Sequence, residues 1–221
     1  MLTTPRRSLA TLALAASLFV LGGCQVGQLI GGMAGSAERQ GKTEFKPKYT
    51  KLQDKSFAVI VAADRSIQSE FPDIVTITTF EMTKRLAENA GSSGVLPAAE
   101  VLRYQSQHPG WVAKPLGELA KTLGVDRVVY VDLQDFRMTD PGNPYVYTGV
   151  ASGVVHVAEV ESEVASEFAF GKDVRVKYPD MTGMSSAQIP RAEVFSELAR
   201  RFIERSAWMF YSHEEPNAIK Y

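Results

Sequence analysis

Residues 116–133 read LGELAKTLGVDRVVYVDL, and the change of period within this stretch decides the fold. Leu116, Leu119, Ala120 and Leu123 recur at helical spacing, so a helix with one apolar side is predicted over Pro115 to Leu123. Gly124 is its expected stop, because glycine accepts the left-handed conformation that closes a helix. Arg127 to Leu133 is then rich in β-branched and aromatic residues, the composition of a central buried strand. A helix that turns directly into such a strand implies a sheet with helices packed on it.

Upstream, the apolar run Phe57 to Ala62, ending at Asp64, reads as a second central strand. Pro72-Asp73 opens a helix to Asn89, with Ile74, Ile77, Met82 and Leu86 on one face. Gly91 to Gly94 is a turn, Val95-Leu96 a short strand, and Pro97 to Gln107 a helix with proline in its first turn. Downstream, the dense turn signal Asp140-Pro141-Gly142-Asn143-Pro144 makes the strand Tyr145 to Val160 return antiparallel.

In that strand Tyr145, Tyr147, Gly149, Ala151, Gly153, Val155 and Val157 share a face, and the small residues either admit a helix or relieve twist. Phe168 to Lys177 is a third strand, with a bulge or bend expected at Gly171-Lys172-Asp173. Arg191 to Ser212 is the strongest helical pattern: Phe195, Leu198, Phe202 and Met209 face one way, and Glu197 with Arg201 forms an i,i+4 pair on the solvent side. Its end, Trp208 to Tyr211, should pack on the sheet. The expected fold class is α/β (α+β): a single mixed, largely antiparallel sheet with helices packed on it, in the order β-α-(β)-α-α-β-β-β-α.

The amino terminus carries a different message. Arg6 and Arg7, the apolar run Leu9 to Leu21 and small residues before Cys24 have the three parts of a secretory signal, so residues 1–23 are expected to be a cleaved lipoprotein signal peptide. The apolar run is about 13 residues, short of the roughly 20 that cross a bilayer as a helix. Leu21-Gly22-Gly23-Cys24 resembles the lipobox of bacterial lipoproteins, in which the cysteine is acylated, with palmitate among the expected chains, and becomes the new amino terminus. An ordinary cleaved signal that happens to leave a free thiol is the plainer reading of Cys24. Gln25, in place of Asp, then implies by resemblance the inner leaflet of the outer membrane, facing the periplasm. Residues 24–50, rich in Gly, Ser and Lys, are expected to be a flexible lipidated tether, residues 51–212 a single α/β domain, and residues 213–221 a polar tail.

Cys24 is the single cysteine, which excludes an internal disulfide, a cysteine metal cage and a CxxC redox pair. Loss of Arg6 and Arg7 takes 24 basic residues to 22 against 25 acidic ones, a charge of −3 with histidine neutral. Such a balance offers no general attraction to nucleic acid or anionic lipid.

The element order, together with the Leu119 to Val131 stretch that leads into a long meander, resembles the periplasmic α/β domains of the curli-secretion lipoprotein and of the lipoprotein activators of penicillin-binding proteins. The chain also resembles a set of uncharacterised predicted bacterial lipoproteins that share the His-Pro segment, here Gln105 to Pro109, and an aromatic terminal helix running into Tyr211-Ser212-His213. The first resemblance implies an envelope accessory factor; neither implies a functional residue.

Few motifs carry chemistry. Gly35 to Thr43 looks like a phosphate loop, but five residues separate its glycines where four are needed and no strand precedes it, so a tether is preferred and no nucleotide is expected. Gly27, Gly31 and Gly35 have the spacing of a helix-packing zipper in a run too short to span a bilayer. His108, His156 and His213 lack metal spacing, so no metal and no cofactor is implied. Ser152 in Gly149-Val150-Ala151-Ser152-Gly153 sits one place late for a nucleophile elbow. Asp64, Asp132 and Asp135 read as strand-end turn residues before they read as a glycosidic acid pair.

The sequence therefore suggests a non-enzymatic envelope lipoprotein whose domain binds another envelope component, through a strand edge or the loop around His108 and Trp111. The alternative is a periplasmic domain that binds a small molecule or wall fragment in a pocket marked by Trp111, Tyr145 and Tyr147, and a hydrolase using Asp64, Asp132 and Ser152 comes third. Candidate binding residues are His108, Trp111, Tyr145 and Tyr147, against the plainer reading of a turn with a packed tryptophan.

Overall fold

A computed structural model of the chain describes residues 41–161 and 167–217. The expected signal, Cys24 and residues 25–40 of the expected tether lie outside the described residues. The elements are strands β1 (Lys42–Phe45), β2 (Ser56–Ala63), β3 (Gly94–Val95), β4 (Arg127–Asp140), β5 (Asn143–Glu159), β6 (Phe170–Tyr178) and β7 (His213–Pro216). The helices are α1 (Arg65–Glu70), α2 (Ile74–Asn89), α3 (Ala98–Gln107), α4 (Leu116–Leu123) and α5 (Arg191–Ala207), with a 3-10 turn at Pro109–Ala113.

Five strands form a mixed sheet in the order β3-β2-β4-β5-β6. β2 runs parallel to β3 and to β4, while β4, β5 and β6 form the expected antiparallel meander with the longer ladders. Alternation then sorts side chains between two faces. On the first, Phe57, Val59 and Val61 of β2 join Val129, Val131 and Leu133 of β4 and Val155 and Val157 of β5 in the main core, under α2 and α5. On the second, Ala58, Ile60 and Val128 pack with Val101 of α3 and with Leu119 and Ala120 of α4. Gly124 closes α4 at φ 68°, as its place after Leu123 predicts.

On the second face α3 packs on β2, and α4 packs on β4 and β5. Beyond them, Ser152, Val154 and His156 are half-buried, and Asp173 and Arg175 are exposed.

The bulge expected at Gly171 to Asp173 is elsewhere. β5 and β6 pair without interruption from Gly149↔Tyr178 to Val157↔Phe170, and the register slips instead between β4 and β5, first at Leu133/Asp135 and again between Arg137 and Asp140 towards the hairpin turn. The reason lies opposite the first slip: a Cβ on Gly153 would stand 2.2 Å from the carbonyl oxygen of Asp132, so glycine is needed where the bulged strand closes on its neighbour. Gly149 serves the other expected purpose, since a Cβ there would meet the Tyr178 carbonyl oxygen at 2.5 Å and Leu198 of α5 at 3.4 Å.

α5 stops at Ala207, and the chain after it turns, the Phe210 N–H donating to the Ala207 carbonyl at 3.0 Å, with Met209 and Phe210 buried and the Met209 carbonyl accepting the N–H groups of Lys48 and Tyr49 at 2.8 and 3.0 Å. Arg201 does not face solvent. It is 6% exposed, and its guanidinium donates to Asp180 at 2.6 and 2.7 Å, to Glu197 at 2.8 Å and to the Lys177 carbonyl at 2.9 Å. Helical spacing correctly pairs Glu197 with Arg201, but it cannot show that this side of α5 lies against the turn leaving β6.

β1 and β7 form a separate two-stranded sheet in stretches expected as tether and tail. Lys42 pairs with Glu214 at 3.0 Å, Thr43 Oγ1 lies 2.6 Å from Asn217 Oδ1, and the Asn217 N–H donates to the Gly41 carbonyl at 3.0 Å. Neither segment carries apolar alternation, so nothing in its pattern announces a strand.

Candidate functional site

Pro109 starts the 3-10 turn that follows α3, and the turn delivers Trp111 to the second face of the sheet. Trp111 is 9% exposed and meets the ring of Tyr130 edge-on, centroids 6.4 Å apart. Tyr130 stands directly opposite His156 in the β4–β5 register, with the rings stacked at 6.1 Å, and Phe168 stacks on His156 at 4.1 Å. A row of four rings thus crosses β4 and β5 to the segment that enters β6.

Beside the row lies an open groove of about 350 Å³, lined by Trp111, Val112, Lys114, Leu116, Tyr130 and Phe168. Val112 is 63% exposed and Phe168 45%, so apolar side chains on its rim stand in water. Lys114 gives the groove a cation, while Asp132 and Asp173 place negative charge near His156. Burial pushes the His156 imidazole below its ordinary value, and the two aspartates oppose that shift. Burial, and then Asp132, push the Tyr130 hydroxyl up. Among the described residues, His156 Nδ1 is buried with no hydrogen-bond partner.

The four residues expected to bind are not brought together. His108 is exposed, closes α3 with Nδ1 3.0 Å from the Tyr104 carbonyl, and stacks on the Tyr104 ring at 4.4 Å. Trp111 lines the groove. Tyr145 is 78% exposed near the start of β5. Tyr147 is buried in the core of the opposite face, its N–H donating to the Met184 carbonyl at 2.8 Å, so the sheet itself separates it from Trp111. Tyr130, Val112, His156 and Phe168 lie far apart in the sequence and share no motif; the signal that marks two of them is parity, since Tyr130 and His156 alternate with the core valines of their strands.

The hydrolytic residues do not assemble either. Ser152 and His156 share one face of one strand, about 13 Å apart by strand rise, far beyond the ~3 Å a nucleophile and its base require. Asp132 Oδ2 accepts from the Gln134 amide at 2.8 Å, and Asp135 is paired with Arg137. Asp64 precedes α1 without capping it through its side chain. Among the described residues, no group of three or more His, Cys, Asp or Glu side chains is placed to hold a metal, and no helix is long and apolar enough to cross a membrane.

No family model matches the chain, and no curated protein matches it. Among solved structures it is similar to the PelC dodecamer from Paraburkholderia phytofirmans, at 11% identity and a TM-score of 0.44 over 77% of this chain and 97% of that one. It is also similar to lipoprotein GNA1162 from Neisseria meningitidis, at 14% identity and a TM-score of 0.45 over 69% and 97%. No function follows from likeness at this level.

Proposed function

We propose that the chain is a non-enzymatic envelope lipoprotein, anchored at the inner leaflet of the outer membrane through an acylated Cys24, whose α/β domain binds another envelope component at the Trp111–Phe168 groove. The lipobox before Cys24 supports the anchor. The observation that carries the binding role is the exposure of Val112 and Phe168 around an aromatic-walled groove, apolar surface of the kind that marks interaction sites. A photoreactive residue at Val112 is expected to capture one discrete partner in intact cells, and the same residue at Tyr145 to capture none. Equal capture at both positions refutes the assignment. Mass spectrometry of the native chain, which should show acyl groups on Cys24, tests the anchor separately.

A small ligand such as a wall fragment is the second reading. It is favoured by the groove's volume of about 350 Å³, near the lower end of the roughly 300–1,000 Å³ of ligand sites. A thermal shift with wall fragments that disappears in Phe168→Ser supports it, and no shift with any fragment retires it.

A further inference from the structure

β6 is an outer strand of the five-stranded sheet, with one edge not paired to another strand of that sheet. The Lys177 carbonyl accepts from Arg201, so it points away from β5. Because β5 and β6 pair without a shift, strand alternation turns the N–H and C=O of Gly171, Asp173 and Arg175 outward as well. The Tyr147 N–H fits the same phase: it points to the β6 side and meets the Met184 carbonyl beyond the end of β6. Gly171, Asp173 and Arg175 are exposed, and no hydrogen bond or ion pair engages the side chain of Asp173 or Arg175 among the described residues.

We propose that this edge pairs with β6 of a second copy of the chain, antiparallel about Val174. Charge selects the register. Centred on Val174, Asp173 of each copy stands opposite Arg175 of the other, giving two opposite-charge pairs on one face. Centring on Asp173 or on Arg175 sets like charges face to face, and centring on Val176 opposes Arg175 to Lys177. Outward-facing residues then meet outward-facing residues, as a hydrogen-bonded antiparallel ladder requires. The Arg201 guanidinium already holds the Lys177 carbonyl, so the new ladder is short, centred on Asp173 and Arg175. An edge this charged resists indiscriminate pairing and admits a partner whose charges interleave with its own.

The test uses sedimentation of the full chain in detergent. The wild type should show a reversible, concentration-dependent dimer. Arg175→Asp and Asp173→Arg each turn both cross-strand pairs repulsive and should weaken it roughly thirtyfold or more. Mixing the two variants in equal amounts recreates opposite charges at every pair and should restore dimers, as should the double swap Asp173→Arg/Arg175→Asp. Arg175→Pro removes an outward N–H that β5 does not use, and should give monomers with an unchanged far-ultraviolet spectrum. A wild type that stays monomeric, single variants that dimerise like it, or a mixture that fails to recover dimers overturns the proposal. The groove assignment is independent, since photocapture at Val112 does not involve this edge.

Discussion

Arg201→Leu removes the guanidinium that joins α5 to the turn after β6. Three acceptors lose it: Asp180, Glu197 and the Lys177 carbonyl. The ring of Tyr178 also loses a cation 4.8 Å from its centre. Charge-assisted hydrogen bonds at a buried group contribute about 1.5–3 kcal/mol each. Two discounts apply. The Asp180 side chain is 58% exposed and regains water, and Glu197 keeps its pair with Arg200 at 2.7 Å. Leucine returns about 1–2 kcal/mol through apolar burial. The net loss at pH 7 is about 2–3 kcal/mol, a fall in Tm of roughly 5–10 °C for a domain of this size.

The pH dependence separates the charge contribution from packing. Arg201 holds the Asp180 carboxyl below its usual range, and Arg200, then Arg201, bring Glu197 down to about 2. Both carboxyls have depressed folded values, so their stabilisation is complete above the unfolded carboxylate range and is lost as pH falls through the folded values. The gap between wild type and variant should therefore narrow by roughly half or more between pH 7 and pH 3 in thermal melts followed by circular dichroism. A gap of the same size at both pH values would show that only packing was lost, and a variant as stable as the wild type at pH 7 would remove the clamp altogether.

Gly153→Ala places a Cβ 2.2 Å from the Asp132 carbonyl oxygen, backbone that cannot swing aside, and should cost about 3 kcal/mol or more in urea unfolding; a loss below 1 kcal/mol would refute the close approach. Thr78 is fully buried with its hydroxyl unpartnered among the described residues, so Thr78→Val should raise stability by about 1 kcal/mol in the same assay, and destabilisation would show that the hydroxyl has a partner. The His156 imidazole is held below its ordinary value by burial, so its neutral form favours the fold above the unfolded histidine range and that advantage disappears as pH falls through it; His156→Phe should lose less stability than the wild type between pH 7.5 and pH 5, and parallel curves would refute it. Tyr145→Ser, at a position 78% exposed, should change stability by less than about 0.5 kcal/mol, and a larger loss would mean that the ring is packed.

Much of the second face was legible because its residues announce themselves locally. Gly124 stops α4, Trp111 follows the helix breaker Pro109, and Leu119 and Ala120 repeat at helical spacing. The binding residues were harder, because tyrosine and histidine look alike on either side of a strand until a register assigns their side. Tyr147 of β5 has the parity of its strand's core valines and lies in the core under α5, whereas Tyr130 of β4 has the opposite parity to its strand's core residues and lies beside the groove.

By itself the sequence determined the lipobox around Cys24 as a motif, the mixed α/β class, the turn that reverses the chain at Asp140 to Pro144, and which strands are central, since period and glycine position are local properties of a chain. Tertiary structure alone decided that the bulge opposes Gly153 rather than Gly171, that Arg201 is buried, that His213 to Pro216 is a strand, and that Trp111 and Tyr147 lie on opposite sides of the sheet. These depend on which backbone lies next to which, and a one-residue shift in pairing would reverse every side assignment without changing the composition of any strand.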